Sequence, residues 1–151
     1  MNFPILNNQI SLGLTIPMFN EEGAAEQVLQ QTMYVLRKAK IPFQLAVVNN
    51  GSTDATGMII DKLSTQHAEI IPVHFTTNQG YGGGILSGMR ALEPQNLDCI
   101  GWMWEMDKSY QLFCPNWCKP VMRDSIWQKH NVQNEKMDGY ARSFPKDMPL
   151  R

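Results

Sequence analysis

The chain has 151 residues, of which 43% are hydrophobic and 18% are charged, and its formal net charge is −1. This composition excludes a mainly disordered chain, which would need low hydrophobicity or a high net charge, and the length fits one domain with a sizeable core. Because the isoelectric point is about 6.3, the chain lacks the basic excess typical of nucleic-acid binders. We therefore expect no nucleic-acid partner.

Charge is unevenly distributed along the chain. Residues 1–111 contain 6 basic and 10 acidic side chains, whereas residues 112–151 contain 7 and 4, so the two segments carry net charges of −4 and +3. The second segment is rich in proline and shows only a weak helical pattern over 119–130. We expect it to differ in structure from the first segment.

The first segment begins with a strand pattern followed by a helix pattern. In the segment LGLTI at 12–16, large apolar residues alternate with glycine and threonine, which predicts a strand that ends at Pro17. Asn20 is then a candidate N-cap for a helix that extends to about Lys40, because acidic residues follow it and apolar residues recur at helical spacing.

Strands and helices continue to alternate after this helix. The patterns predict a strand over 43–48, a helix over 53–66, a strand over 70–75, a helix over 85–92 and a strand over 99–106. This order indicates an α/β fold with a mostly parallel sheet, right-handed crossovers and helices that cover the sheet. In such a sheet a ligand binds in the crevice at the carboxyl ends of the strands.

The cysteines and histidines do not indicate a metal site or a disulfide. The three cysteines are odd in number and lack a second metal-ligand pair, so we expect reduced thiols rather than zinc or a disulfide. His67, His74 and His130 stand apart in the sequence and are interpreted as surface or packing residues. A signal peptide and a membrane-spanning apolar run are not recognisable, so we expect a cytoplasmic chain.

Polar residues collect at the predicted strand ends. They lie at 17–21, 49–54, 78–80 and 105–107. Their amides and carboxylates suit the paired donors and acceptors of a ribose and a nucleobase. Asn20, Ser52 and Asp54 also have a structural interpretation as helix caps and turn formers, which for Asp54 is the favoured one.

The glycine-rich segment 80–84 does not indicate a dinucleotide site. A dinucleotide-binding fold places its glycine motif after the first strand, whereas these glycines follow the third. Glu105 and Asp107 are two residues apart and would share one face of a continuing strand, where a divalent cation bridging to a diphosphate would neutralise both. The alternative is a solvated strand end.

These segments, in this order, resemble family 2 glycosyltransferases, in particular those that use dolichol or polyprenyl phosphate. The resemblance covers 10–111 and is carried by IPMFNE at 16–21, VVNNGSTDAT at 47–56, NQGYG at 78–82 and EMD at 105–107. It implies a three-layer α/β/α GT-A fold, Rossmann-like, with a mostly parallel central sheet. It also implies a nucleotide-diphosphate sugar as donor.

The resemblance assigns a nucleotide site to specific residues. The family's Pro-x-aromatic-Asn-Glu turn borders the nucleobase, and its Asp-Asp-Gly-Ser turn holds base and ribose. In this chain the implied nucleotide-binding residues are Pro17, Phe19, Asn20, Glu21, Asn49, Asn50, Gly51, Asn78 and Gly80. Asn49 and Asn50 replace both aspartates, and asparagine still forms hydrogen bonds but carries no charge.

The family's Asp-x-Asp metal motif is also altered, and two alignments remain open. Glu105 and Asp107 keep two carboxylates for a magnesium or manganese ion, whereas an alignment that begins at Asp107 matches Gln111 but places Lys108 inside the motif. In the second alignment the lysine itself would neutralise phosphate, which puts metal dependence in doubt. Asp107 belongs to both alignments.

The family's catalytic domain is longer than this chain. We therefore expect a truncated or shortened protein, in which 1–111 is the nucleotide-sugar-binding half and 112–151 is an irregular basic tail or the start of the acceptor half. A catalytic base cannot be named, although Asp124, Glu135 and Asp138 are candidates by residue type.

The implied reaction is inverting transfer of a sugar from a UDP- or GDP-linked donor to a polyprenyl phosphate or glycan, as in cell envelope glycan synthesis. A membrane-associated acceptor or partner would place the chain at the cytoplasmic face of the membrane. Two alternatives remain open: a non-catalytic nucleotide-sugar-binding module, and a domain that docks a partner through Trp117 and Trp127.

Overall fold

A computed structural model of the protein describes residues 10–106 and 109–113, with side chains described for 10–103. Asp107, the weak helical pattern over 119–130 and the three candidate bases lie outside the described residues. Within them, no helix is both long and apolar enough to cross a bilayer.

Strands and helices alternate as the sequence predicts. The elements are β1 (Leu12–Met18), α1 (Ala25–Lys38), β2 (Phe43–Asn50), α2 (Thr56–Gln66), β3 (Ile70–Phe75), α3 (Gly80–Leu92), a short 3-10 helix (Glu93–Gln95), β4 (Cys99–Met106) and β5 (Ser109–Phe113). The strand order across the sheet is β3-β2-β1-β4-β5. The first four strands run parallel, and β5 pairs antiparallel with β4. The prediction of a mostly parallel sheet is confirmed.

The register of β1 against β2 determines which side chains share a face. Leu12 pairs with Phe43 and Met18 with Asn49, so even-numbered residues of β1 and odd-numbered residues of β2 point to the same side. That side carries the main core, in which strand residues pack against apolar residues of α1 and α2. Examples from the two helices are Leu29 and Ile60, which are completely buried.

The opposite face of the sheet is covered by α3. This helix approaches β1 very closely, because a Cβ atom on Gly88 would lie 2.2 Å from Thr15 Cγ2 and one on Gly84 would lie 3.2 Å from Pro17 Cβ. Glycine at both positions lets the helix backbone rest directly on the strand. Helices therefore lie on both faces, as a three-layer α/β/α fold requires.

The starts of all three helices differ from the sequence prediction, and α2 begins at Thr56 rather than at residue 53. Asn20 does not cap a helix: its φ is 55°, and α1 begins at Ala25 after an N-cap at Ala24. In contrast, α3 begins at Gly80, earlier than predicted, because glycines that were assigned to a loop form its first turn. Helical periodicity of apolar residues could not reveal this turn, since glycine has no side chain to pack.

Two further features were not predicted. β5 follows β4 and forms an antiparallel pair in which Met106 opposes Ser109. Cys99 is disulfide-bonded in the structure, so the expectation of reduced thiols is wrong for this residue. Counting cysteines and spacings cannot identify a pair that tertiary folding brings together.

The contact between α3 and β1 yields a stability prediction. We expect Gly88→Ala to lower the free energy of unfolding by about 1 to 3 kcal/mol, because the new methyl group has no space against Thr15. Gly82→Ala in the same helix is the matched control, since a Cβ there meets nothing within 4 Å. That control should be neutral or stabilising by up to about 1 kcal/mol. Urea denaturation measures both, and equal stabilities would contradict the close contact.

Candidate active site

The candidate site lies where β1, β2 and β3 end at the same edge of the sheet. Met18, Asn49 and His74 are aligned across these three strands. The turns that follow the strands contain the residues that the sequence assigned to a nucleotide. The structure therefore brings three of the four motifs together.

Asn20 joins the turn after β1 to the turn after β2. Its backbone N–H donates to Ser52 Oγ at 3.0 Å, and its side-chain Oδ1 accepts from the Thr53 N–H at 2.9 Å. The positive φ of Asn20 turns the backbone so that both bonds form, and asparagine tolerates this conformation well. Asn20 is thus a cross-link between two turns rather than the helix cap that the sequence predicted.

A second set of bonds strengthens this cross-link. The Glu21 N–H donates to Thr56 Oγ1 at 2.8 Å and the Glu22 N–H to Asp54 Oδ2 at 3.0 Å. In return, the Ala55 N–H donates to Glu22 Oε2 at 2.9 Å. Because donors and acceptors come from both sides, the two turns form one rigid unit.

Asp54 is the anionic centre of this unit. Its Oδ1 accepts from the Thr56 hydroxyl and the Thr56 N–H. Partial desolvation would raise the pKa of this carboxyl, but the hydrogen bonds from Thr56 and Glu22 outweigh it and lower the pKa below its usual value. The contribution of these bonds to stability is present above the carboxyl's unfolded pKa and is lost as the pH falls through the lowered one.

Asn50 connects the turn after β2 with the turn before α3. It is 4% exposed, and its Nδ2 donates to Asn78 Oδ1 at 3.2 Å and to the Gly80 carbonyl at 3.0 Å. Its Oδ1 accepts from the Gln79 N–H at 2.9 Å. Asn78 Oδ1 also accepts from the Gly80 N–H at 2.8 Å. The NH₂ group and the oxygen of the Asn50 side chain are therefore both bonded to the turn before α3.

Asn49 points to the other face of the sheet. Its Oδ1 accepts from the Ser52 N–H at 3.0 Å, and its Nδ2 lies 3.3 Å from His74 Nδ1. Because successive side chains of a strand point to opposite faces, the two asparagines lie on opposite sides of the sheet although they are adjacent in the sequence. Each positions a different turn.

Gly51 allows the turns after β2 and β3 to meet. Its φ is 78°, and a Cβ there would lie 2.5 Å from the Asn78 N atom and 2.6 Å from the Thr77 carbonyl carbon. A residue with a side chain would be strained by its φ and would collide with backbone atoms. Gly51 therefore has a structural requirement that does not depend on any ligand.

Aromatic side chains remain accessible near these turns. Phe19 is 46% exposed directly after β1, and Tyr81 is 37% exposed in the first turn of α3. Partial burial raises the pKa of Tyr81 to about 12, although a hydrogen bond from Trp102 in β4 acts in the opposite direction. Tyr81 is therefore a neutral hydroxyl at physiological pH. Phe19 offers a ring face on which a planar ligand could stack.

The predicted metal ligands are only partly placed. Glu105 lies in β4, where only its backbone is described, and Asp107 lies outside the described residues. Among the described side chains there is no cluster of three or more His, Cys, Asp or Glu residues.

Sequence reasoning missed several residues that shape this site. His74 was interpreted as a surface or packing residue, and its side chain is indeed 38% exposed; its ring also lies between Asn49 and Asp61, with its Nε2 2.8 Å from Asp61 Oδ1. Tyr81 was assigned to a loop. Their positions depend on cross-strand register and on the start of α3, which spacing along the chain does not reveal.

A separate cleft lies away from the strand ends. It has a volume of about 380 Å³ and is lined by Gln30, Met33, Tyr34, Arg37, Lys38 and His67. Five of these residues belong to α1 and His67 follows the end of α2, and none was predicted to bind a ligand. Arg37 is already paired with Glu69 at 2.7 Å.

The bonding of Asn50 predicts the effect of restoring the family's aspartate. Asn50→Asp removes two donated hydrogen bonds and places a carboxylate against two acceptors, Asn78 Oδ1 and the Gly80 carbonyl. We expect a loss of about 2 kcal/mol or more in the free energy of unfolding at pH 7. The loss should shrink towards pH 4, because burial raises the pKa of the new carboxyl and its protonated form can donate. Asn96→Asp, the same substitution at an exposed position after the 3-10 helix, is the matched control, and denaturation curves at both pH values decide the outcome.

Comparison with known proteins identifies the family. Residues 14–111 match the sequence model of glycosyl transferase family 2. The bactoprenol glucosyl transferase of Shigella phage SfV is 33% identical over 82 residues, which cover 53% of this chain and 26% of that protein. A dolichyl-phosphate β-glucosyltransferase of Trichomonas vaginalis is 25% identical over 85 residues, again 53% of this chain and 26% of that protein. The matched segment thus spans about a quarter of the length of these curated relatives.

A solved structure shares the fold. S. aureus TarS 1–349 superposes with a TM-score of 0.50 and 22% identity, over 62% of this chain and 26% of that chain. The prediction of a GT-A fold is confirmed by this likeness together with the sheet described above. Because the family match covers well over half of the sequence, the chain belongs to glycosyl transferase family 2.

Proposed function

We propose that this chain forms the nucleotide-sugar-binding part of a glycosyltransferase that transfers a sugar, with inversion, from a UDP- or GDP-linked donor to a polyprenyl phosphate. The observation that carries the proposal is the hydrogen-bonded joining of three strand-end turns by Asn20 and Asn50. Ligands of open α/β sheets bind at such an edge. The proposed boundary of this part is residue 111, where the family match also ends.

The proposed nucleotide contacts come from the outer surface of the joined turns. Phe19 would stack on the base, while Glu21 and the exposed turn after β3 would face the ribose. Pro17, Gly51 and Gly80 would shape the backbone around the nucleotide. Asn20, Asn49, Asn50 and Asn78 would mainly hold the turns, since their amides are engaged with protein atoms.

We propose Asp107 as the main ligand of a magnesium or manganese ion, with Glu105 as a second carboxylate. Two carboxylates and diphosphate oxygens form the hard oxygen set that these ions prefer. Such an ion, when bound, would neutralise the charge that develops on the leaving diphosphate. Lys108 would assist in the same way under the alternative alignment.

The role of the protein in the transfer is to hold the donor. An oxygen of the acceptor attacks the anomeric carbon as the bond from that carbon to the diphosphate oxygen breaks, which inverts the configuration. Rigid turns that fix the nucleotide reduce the entropy cost of this alignment. A phosphate acceptor is already ionised, so its attack needs little help from a general base.

The acceptor proposal rests on the relatives. The names of the Shigella phage and Trichomonas vaginalis proteins specify bactoprenol and dolichyl phosphate. A polyprenyl-phosphate acceptor lies in a membrane, which would place this chain at the cytoplasmic face during cell envelope glycan synthesis. A non-catalytic nucleotide-sugar-binding module is the second candidate, because the amide of Asn50 is occupied by internal bonds.

The nucleotide site is tested by titration calorimetry of the 151-residue chain with UDP, GDP and their glucose conjugates, with and without Mn²⁺. We expect one of the two bases to bind, and Asp107→Ala to weaken binding in Mn²⁺ by roughly tenfold or more. Glu93→Ala removes an exposed carboxylate at the far end of α3 and is the matched control. Absence of heat with every nucleotide would contradict the proposal, and binding unaffected by Asp107→Ala and EDTA would contradict the metal role.

A transfer assay separates an enzyme from a binding module. The bound donor, labelled in its sugar, is incubated with undecaprenyl phosphate in detergent, and labelled lipid is extracted. We expect labelled lipid that disappears with Asp107→Ala but persists with Glu93→Ala. Donor binding without lipid labelling or donor hydrolysis would favour the non-catalytic module.

A further inference from the structure

A continuous chain of hydrogen bonds leads from the surface of α2 to the turn after β1. Asp61 Oδ1 lies 2.8 Å from His74 Nε2, and His74 Nδ1 lies 3.3 Å from Asn49 Nδ2. Asn49 Oδ1 accepts from the Ser52 N–H at 3.0 Å, and Ser52 Oγ accepts from the Asn20 N–H at 3.0 Å. The imidazole ring is therefore linked to the turn after β2 through the Asn49 amide, and from there to the turn after β1 through the hydroxyl of Ser52.

The donors and acceptors in this chain determine the tautomer of His74. The Ser52 N–H can only donate, so the Asn49 atom that faces it is the oxygen and the atom that faces His74 is the NH₂ group. His74 Nδ1 must therefore accept a hydrogen bond. In the neutral ring the proton therefore lies on Nε2 and is donated to Asp61.

Packing prevents Asn49 from moving away from the ring. A Cβ on Gly57, in the first turn of α2, would lie 2.7 Å from Asn49 Nδ2 and 3.8 Å from His74 Nδ1. The helix backbone thus closes over the contact between amide and ring. If Nδ1 is protonated, the Asn49 amide can therefore rotate, but the side chain as a whole has no space to shift.

We propose that His74 is a positioning residue for the nucleotide site and that its protonation weakens nucleotide binding. A proton on Nδ1 would face the NH₂ group of Asn49. Rotation of the amide would relieve this conflict but would present NH₂ to the Ser52 N–H and break the bond that shapes the turn. The inference rests on the proposed function, because it assumes that the turn after β2 binds a nucleotide.

Two groups face the His74 ring. Asp61, from α2, is an anion whose side chain is 63% exposed, so solvent screens the pair. Asn49, from β2, presents its NH₂ group to Nδ1. The side chain of His74 is itself 38% exposed, so protons reach it without unfolding.

Restoring the family's aspartate at this position should reverse the pH dependence. The carboxylate of Asn49→Asp would accept from both the Ser52 N–H and a protonated Nδ1. The charged ring would then hold the turn in place, and nucleotide binding would persist in acid. His74→Asn is the matched control, since its side chain can still offer an oxygen to Asn49 but does not titrate.

The test is calorimetry of the full chain with UDP-glucose and GDP-mannose at pH 8 and pH 5.5, at one Mn²⁺ concentration. These probes are chosen because their diphosphates are diesters and do not titrate in this range, whereas histidine does. For wild type we expect binding to be roughly five- to tenfold weaker at pH 5.5, the effect of one lost hydrogen bond. His74→Asn should show less than a twofold change, and Asn49→Asp should bind at least as well at pH 5.5 as at pH 8.

The outcomes separate this inference from the proposed function. Binding of equal strength at both pH values in wild type, or an equal acid loss in wild type and His74→Asn, would overturn the role of His74 alone. Absence of binding at every pH would overturn the proposed function and this inference with it. Nitrogen chemical shifts of the imidazole at pH 8 provide an independent readout: we expect the proton on Nε2, and a proton on Nδ1 would refute the hydrogen-bond chain. Thermal unfolding at both pH values confirms that each variant is folded.

Discussion

The in-register pairing of β1 with β2 is the constraint on which the rest of this structure depends. Seven consecutive residue pairs fix which side chains face α1 and α2 and which face α3. The same pairing aligns the ends of the strands, so that the turns after β1 and β2 emerge side by side. A shift by one residue would exchange the two faces and would separate Asn20 from Ser52 and Thr53. Core and candidate site thus follow from one set of backbone hydrogen bonds.

The candidate site is held by hydrogen bonds between uncharged amides and turn backbone, supported by Asp54 and Glu22. Asparagine is well suited to this task because it both donates and accepts, whereas aspartate only accepts when ionised. Asn50 uses this property fully, since its two donated bonds end on Asn78 and Gly80 and its oxygen holds Gln79. The replacement of the family's two aspartates therefore has a structural consequence as well as an electrostatic one. It changes how the turns are held before any ligand arrives.

Much of the fold could be predicted from the sequence, because alternation of apolar residues and helical spacing are local signals. They located four parallel strands and three helices. They could not locate β5, nor the early start of α3 at Gly80, since a glycine turn has no apolar periodicity. The motifs located the candidate site, but the individual roles of Asn20, Asn49 and Asn50 depend on which face each side chain points to. His74 became visible only through register, because 25 residues separate it from its partner Asn49.

The Asn50 side chain uses both its NH₂ group and its oxygen in internal hydrogen bonds, and this has an evolutionary consequence. An aspartate at this position leaves Asn78 Oδ1 and the Gly80 carbonyl opposite a third acceptor, so a lineage that regains the charge must alter the turn before α3 at the same time. The conformation of residue 78 should therefore depend on the identity of residue 50, although they lie 28 positions apart. Where an aspartate at position 50 faces an asparagine, that asparagine must present its NH₂ group rather than its oxygen. The two arrangements would hold the strand ends by hydrogen bonds of opposite direction.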